Sequence, residues 1–413
     1  VVKIMSKIAP ELLSPAGDWP GLVSAVSAGA DAVYFGAKML NMREGAGNFD
    51  LLEIKKVMKF LKKAGKKGYL TLNTVIFDRD IDDLRKVIER AKTEGVDAVI
   101  AWDHAVIRTA LKEGLEVHLS TQASVANREA LKVYADMGVS RVVLARECSL
   151  KDISNMVSYI RKGKINCGIE TFVHGAMCVS VSGRCFLSQG SFCKSANRGA
   201  CLQPCRRLFR IVDSDEGSEY VVGSDFILSP KDLCSIGFVD KLISSGISAF
   251  KIEGRARSPE YAKVVTSAYR RAIDASLAGR YTSALRTKLE KELKGVYNRG
   301  FSSGFYFGPP GKEGYGRDIK NESDKIYLGE VSNFYRKINV AEMNLRNEAV
   351  RTGDRIFISG KTTPVQFMTV GRMQIDHRDV SSAKKGEAVA IEVPFPVRPK
   401  DKVFLWRERP DIS

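Results

Sequence analysis

This sequence predicts an α/β chain: a TIM-like (β/α)8 barrel with a Cys-rich insertion, then extra helices and a small β-barrel. Three observations predict it. Eight short apolar segments alternate with amphipathic stretches between residues 10 and 255, six strand-like segments crowd the last part of the chain, and a run rich in Gly, Pro and aromatics separates the two patterns. Strand and helix alternating over such a length imply a parallel sheet, and eight units suffice to close a barrel.

The expected barrel strands are residues 11–14, 32–35, 69–73, 98–101, 117–120, 141–145, 167–173 and 249–253. Each is short, apolar and bounded by turn-forming or charged residues, as strands of a buried parallel sheet are. Residues 19–28, 51–64, 82–94, 128–137 and 150–159 are amphipathic and end near a glycine or a Lys-rich turn, which marks them as helices. The phrase Gly29-Ala-Asp-Ala-Val returns as Gly95-Val-Asp-Ala-Val and Gly246-Ile-Ser-Ala-Phe, one helix-to-strand junction used three times. A Cys-rich insertion, about residues 174–235, parts the seventh strand from the eighth. Ser258-Pro-Glu-Tyr261 opens a helical pattern that runs to about Val296.

The first domain is therefore expected over 1–298, a linker over 299–322 and a second domain over 323–413. The linker begins with the Gly-, Pro- and aromatic-rich run from Arg299 to Gly316. Beyond it, short strands at 326–331, 337–341, 354–358, 365–368, 388–391 and 402–405 suggest a small β-barrel. Val350-Arg-Thr-Gly-Asp-Arg-Ile and Lys385-Gly-Glu-Ala-Val-Ala-Ile there resemble the second domain of translation factors.

At 413 residues the chain exceeds what one core normally fills. Its apolar runs are too short to span a bilayer, so no membrane partner is expected. The balance of 65 Lys+Arg against 48 Asp+Glu gives +17, which favours a polyanionic partner such as nucleic acid; a merely soluble basic surface is the alternative. The chain opens Val1-Val-Lys-Ile-Met without a charged leader, an apolar core or a cleavage site, so a cytoplasmic, reducing setting is expected.

Five of the eight cysteines lie between Glu170 and Arg207, and four of them fall in the spacing C-x6-C-x15-C-x3-C at Cys178, Cys185, Cys201 and Cys205. Thiolates select zinc or iron-sulfur clusters over harder ions. Structural zinc sites usually present two close cysteine pairs, and here only the second pair is close, which favours a 4Fe-4S cluster with zinc as the alternative. Disulfides or buried free thiols are the other readings. Arg184, Arg198, Arg206 and Arg207, beside these cysteines, suit thiolate charge or an anionic ligand. Cys193 and Cys234 are spare candidates, while Cys148 and Cys167 lie in or beside apolar runs and read as core.

Active sites of such barrels lie at the carboxyl ends of the strands. The residues expected there are Ser14, Asn73, Asp103, Gln122, Arg146, Glu147, Glu170, His174, Glu253 and Arg255. Only four histidines exist and none sits in an H-E-x-x-H motif, so the sequence by itself offers little for proteolysis.

Glu11-Leu-Leu-Ser-Pro-Ala-Gly17, Gly29-Ala-Asp-Ala-Val-Tyr34, Glu170-Thr-Phe-Val-His-Gly-Ala-Met-Cys178, Ser182-Gly-Arg-Cys185, Asn197-Arg-Gly-Ala-Cys201 and Lys251-Ile-Glu-Gly-Arg255 occur in that order. With them the chain closely resembles peptidase family U32 over roughly residues 10 to 280, and the region after 320 is similar to a C-terminal β-barrel that many members carry. The resemblance implies one of several activities. Some members are described as collagenase-like proteases. Others hydroxylate tRNA or ribosomal RNA pyrimidines, or a quinone precursor, by oxygen-independent or prephenate-dependent reactions that use a cysteine-bound iron-sulfur cluster.

Carried onto this chain, the resemblance makes Cys178, Cys185, Cys201 and Cys205 the cluster ligands, with Cys234 competing for the fourth place. Asn73, Gln122, Arg146, Arg184, Arg198 and Arg255 become substrate- or donor-binding residues, and Glu170, His174 and Glu253 acid-base or base-reading groups. The expected activity is hydroxylation of a tRNA or 23S rRNA pyrimidine, of the 5-hydroxyuridine or 5-hydroxycytidine type, with prephenate as a candidate hydroxyl donor. A peptidase, a quinone-precursor hydroxylase and a non-catalytic RNA-binding module are the alternatives. Either a homo-oligomer or a related partner subunit is compatible with this reading.

Overall fold

The computed structural model describes residues 9–207, 211–212, 214–215, 217, 219–220, 228–311, 314 and 322–409. Parts of four expected segments lie outside the described residues: 1–8 of the first domain, 208–210, 213, 216, 218 and 221–227 of the insertion, 312–313 and 315–321 of the linker, and 410–413 of the second domain.

Strand and helix alternate as β1 (Glu11–Ala16), α1 (Trp19–Ser27), β2 (Ala32–Gly36), α2 (Ile54–Lys63), β3 (Lys67–Leu72), α3 (Ile81–Thr93), β4 (Ala98–Ala101), α4 (His104–Lys112), β5 (Glu116–Leu119), α5 (Arg128–Asp136), β6 (Arg141–Val143), α6 (Leu150–Gly163) and β7 (Gly168–Gly175). Helix α2 shows the cause: Ile54, Val57, Met58 and Leu61 recur at helical spacing and are all buried, while its lysines face water. Asp18 starts α1 by accepting from the Gly21 amide at 2.8 Å, with Pro20 in the first turn, and Ser149 and Asp152 form a capping box at α6.

The excursion after β7 contains α7 (Leu187–Phe192), β8 (Ile211–Val212), β9 (Glu219–Tyr220), β10 (Asp232–Cys234) and α8 (Val239–Ser244) before β11 (Ala249–Ile252). Strand β11 is the eighth stave. It pairs in parallel with β7 on one side and β1 on the other, which closes the barrel. Strand β10 was not expected; it pairs antiparallel with the end of β7, Cys234 opposite His174. Then α9 (Pro259–Leu277) lays Tyr261, Val265, Tyr269 and Ile273 on the barrel, α10 (Ser283–Lys294) packs on α9, and β12 (Phe301–Ser302) extends β10.

The C-terminal region holds β13 (Ser323–Tyr335), β14 (Val340–Leu345), β15 (Val350–Arg351), β16 (Arg355–Ser359), β17 (Gln366–Thr369), β18 (Met373–Ile375), β19 (Arg378–Val380), β20 (Ser382–Ala383), β21 (Ala388–Glu392) and β22 (Lys402–Glu408). Eight of them form one antiparallel sheet, β17-β16-β22-β13-β14-β21-β18-β19, around a core of its own. Among the described residues β17 and β19 do not pair, so the small barrel is a half-barrel. Phe357, Val365 and Trp406 leave that core and join the barrel's. The Val365 amide donates to Ser24 Oγ at 3.1 Å, and Lys325 Nζ pairs with the Glu260 carboxylate at 2.9 Å, which docks the sheet on α1 and α9.

Near the amino ends of the strands the barrel interior is ionic. Glu170 is fully buried; its carboxylate meets Lys251 Nζ at 2.8 Å and Arg141 Nη1 at 3.3 Å, and Arg141 also holds Glu11 at 2.7 Å. This corrects one expectation. Strand β7 begins at Gly168 and runs five residues past Glu170, so that glutamate lies deep in the barrel and not at the mouth. Burial pushes its carboxyl up, but Lys251 and Arg141 outweigh burial and leave it at about 2, against an ordinary 4.5.

A depressed carboxylate contributes stability above its unfolded value and loses it as pH falls through the folded one. The urea midpoint of the wild-type chain should therefore drop between pH 4.5 and 2, with Glu170 contributing on the order of 3 kcal/mol. Glu170→Gln should cost about 3–5 kcal/mol at pH 7, because two cations stay buried against a neutral amide, and should flatten the acid limb. An unchanged acid limb in that variant would show that the network does not carry this stability.

Candidate active site at the barrel mouth

A cavity with an empty volume of about 1180 Å³, part of it open to solvent, occupies the carboxyl end of the barrel. Strand ends supply its floor and the cysteine segment its roof. Gly175 ends β7 at φ +109, and a Cβ there would lie 2.6 Å from the Glu253 carbonyl oxygen, so only glycine lets the chain turn over the mouth toward Cys178. Gly36 ends β2 for a similar reason: a Cβ would come 2.1 Å from Arg255 Nη1.

Asn73, Gln122, Arg146, Glu253 and Arg255 line this cavity, as expected from strand ends, and so do Cys178, Cys185, Cys201 and Cys205. Asn73 Oδ1 accepts from the Met42 amide at 3.2 Å, and Gln122 accepts from the Ser120 hydroxyl. Arg146 stands over the Phe172 ring at 4.1 Å and donates to the Ala176 carbonyl; its Nε has no hydrogen-bond partner among the described residues. Arg255 is buried, donates to Thr71 Oγ1 at 2.9 Å, and makes no ion pair among the described residues. Burial pulls its guanidinium down to about 10. Glu253 pairs with Arg43 Nη2 at 3.2 Å; burial raises its carboxyl, but Arg43, Arg146 and Arg257 outweigh burial and hold it below the ordinary range.

Four nominated residues stand elsewhere. Glu170 lies in the deep ionic layer. His174 is buried outside the stave, packed on Tyr261, Tyr269 and Phe301, with its Nδ1 3.4 Å from the Tyr269 hydroxyl. Burial, then Arg257, pulls it down to about 3, so it is neutral. Arg198 spends its guanidinium on Asp80 at 2.6 Å and on the Val75 carbonyl, tying the cysteine segment to the loop after β3. Arg184 is on the rim, donating to the Gln122 carbonyl at 3.3 Å. Of the other strand-end residues, Asp103 caps α4, Ser14 faces Thr266 of α9 at 2.7 Å, and Glu147 is exposed.

Sequence reasoning missed Arg43, Tyr34 and Lys251, which also line the cavity, as does Arg206 beside Cys205. Arg43 had a legible signal. It lies in the unusually long loop between β2 and α2, on the functional face of any such barrel. Lys251 had none, because an interior lysine within a strand is indistinguishable from a surface one until the barrel closes.

The four sulfurs are chemically a soft donor set. Burial raises Cys205, Arg206 lowers it, and Cys178, Cys201 and Cys185 raise it again, so all four thiols share one electrostatic neighbourhood. Burial raises Cys178 too, but its Ser180 hydrogen bonds and the charges of Arg146 and Arg43 bring it below the ordinary thiol value. The donor set and its cationic surroundings fit a thiolate-bound centre. Among the described residues no three His, Cys, Asp or Glu are already gathered to hold a metal ion, so loading would require the loop to draw the sulfurs together. Cys234 is not part of this group; it lies behind β7 beside Tyr269, and burial pushes it up to about 12.

Comparison with known proteins gives a consistent family. The model described as "Peptidase family U32" matches residues 17–316. An uncharacterized protease of Methanocaldococcus jannaschii is 42% identical over 96% of this chain and 98% of its own length. A collagenase of Porphyromonas gingivalis is 40% identical over 97% and 98%, and a tRNA hydroxylation protein of Bacillus subtilis 35% identical over 85% and 83%.

His174, folded neutral at about 3, should show no titration between pH 5 and 8 in histidine ring NMR spectra of the folded protein. A ring signal that shifts with a midpoint near 6.5 would return His174 to the list of acid-base candidates.

Proposed function

We propose that this chain, which belongs to peptidase family U32, is an RNA-modifying enzyme that hydroxylates a tRNA or ribosomal RNA pyrimidine at the barrel mouth. One observation carries the reading: four thiols, four guanidinium groups, three amide side chains and an ionised carboxylate line a single cavity at the barrel mouth. The tRNA hydroxylation name of the Bacillus subtilis relative supports it.

Each residue has a role that follows from its surroundings. Arg255 is buried and Arg146 half-buried with its Nε unpartnered, and neither makes an ion pair among the described residues, so they would bind the carboxylates of a hydroxyl donor such as prephenate. Asn73 and Gln122 present amides able to read a base edge, and the base would have to leave its stack to reach them. Glu253, kept ionised by Arg43, is placed to accept a proton. Cys178, Cys185, Cys201 and Cys205 would hold a 4Fe-4S cluster, with zinc as the alternative; a cluster would supply electrons to the site or a place for the oxygen donor. Charge within the cavity suits RNA and a dicarboxylate better than an apolar quinone precursor.

Proteolysis is the second reading, favoured by the names of two relatives. None of the four histidines lines the cavity, so Cys178 lacks the imidazole that would activate it as a nucleophile.

Protein purified without oxygen should carry about four irons and four acid-labile sulfides per chain. Cys178→Ala, Cys185→Ala, Cys201→Ala and Cys205→Ala should each lose iron, and Cys234→Ala should retain it. RNA from a strain lacking the protein should be missing a hydroxylated pyrimidine by nucleoside mass spectrometry. Full iron in Cys178→Ala would sink the shared site, and peptide cleavage that survives loss of the cysteines would replace this reading with the second.

A further inference from the structure

The rim of the cavity carries aromatic rings exposed beside guanidinium groups. Phe77, 47% exposed, lies 4.9 Å from the Arg79 guanidinium carbon and 5.0 Å from that of Arg198. Phe186 is 75% exposed. The half-buried Trp102 lies 5.8 Å from the guanidinium carbon of Arg184. Leaving Phe side chains in water forfeits burial that a core position would provide, and exposed rings paired with guanidinium groups beside a cavity suit a stacking partner.

Chain neighbours and hydrogen bonds tie these residues to the cavity wall. Phe186 directly follows the cavity-lining Cys185, whose amide donates to Asn197 Oδ1 at 3.0 Å, and Asn197 precedes Arg198. Trp102 Nε1 donates to the Asn73 carbonyl at 3.0 Å, and Arg184 reaches the Gln122 carbonyl. Asn73 and Gln122 are two of the amides that line the cavity, so the rim adjoins groups that would read a base.

We propose that Phe77, Trp102 and Phe186, with Arg79 and Arg184, form a stacking platform for unpaired RNA nucleotides flanking the target base, with Arg198, held by Asp80, backing the Phe77 ring. This rests on the RNA reading above and adds the form of RNA and the residues that grip it. Rings and guanidinium planes stack on splayed bases whatever their sequence, whereas a duplex hides its base faces. Arg79 and Arg184 make no ion pair among the described residues, which leaves their charge for phosphates or base faces. An extended peptide would instead seek a strand edge, and none of the six residues lies in a strand.

Fluorescence anisotropy with the full chain tests this, using a labelled single-stranded RNA of about fifteen nucleotides and the duplex of the same sequence. The wild type should bind the single strand more tightly than the duplex. Phe77→Ala and Phe186→Ala should each weaken single-strand binding by about 5- to 100-fold and leave duplex binding within about twofold, while Phe186→Trp should restore it. Both phenylalanines are exposed, so the variants should fold, as circular dichroism would check. Unchanged single-strand affinity in both Ala variants, or equal loss for single strand and duplex, would overturn the platform alone. A wild type that binds neither RNA at about 50 mM salt would overturn the RNA reading itself. Self-association abolished by Phe186→Ala, with RNA binding intact, would assign the patch to a second copy and overturn the platform.

Discussion

Closure of the barrel through β11 is the constraint on which the rest depends. Ala249–Ile252 must pair with β7 on one side and β1 on the other, so the chain that leaves β7 at the mouth has to return to the opposite end of the sheet. The excursion it makes on the way is the cysteine segment. Because β7 points its carboxyl end at the mouth, the segment can only begin there, and β10 keeps its return path against the outside of β7. Placing four cysteines over the strand ends is thus a consequence of topology.

The same charged residue types do different work at the two ends of this interior. Toward the amino ends, Glu11, Arg141, Glu170 and Lys251 compensate one another, and their ionic layer is closed. Toward the carboxyl ends, Arg255 is buried and Arg146 half-buried, their hydrogen-bond partners neutral among the described residues, while Arg43 is matched by Glu253. Burying a cation without an anion is unfavourable in a stable fold and becomes favourable once an anionic ligand arrives. This asymmetry separates a compensated layer from an uncompensated one without reference to any relative.

The rim follows the same logic at the surface. Arg198 and Asp80 tie the cysteine segment to the loop after β3, so the segment that carries the four cysteines and the loop that carries Phe77 share one anchor. Movement of the sulfurs toward a common centre would therefore also move the aromatic rim.

Periodicity alone determined the eight staves to within a few residues, most of the helices, and the change to short strands in the last region, because apolar spacing records which face each element buries. Spacing likewise singled out Cys178, Cys185, Cys201 and Cys205, and strand ends located Asn73, Gln122, Arg146, Glu253 and Arg255. Local pattern does not record depth within a strand, so Glu170 at the third position of β7 and His174 behind it read as mouth residues until the strand's true length was known. Nor does it record which distant carboxylate a cation meets: Arg198 is committed to Asp80, 118 residues away, and Arg43 to Glu253, 210 away. Those partnerships exist only after the barrel closes, and they decide which arginines remain for a ligand.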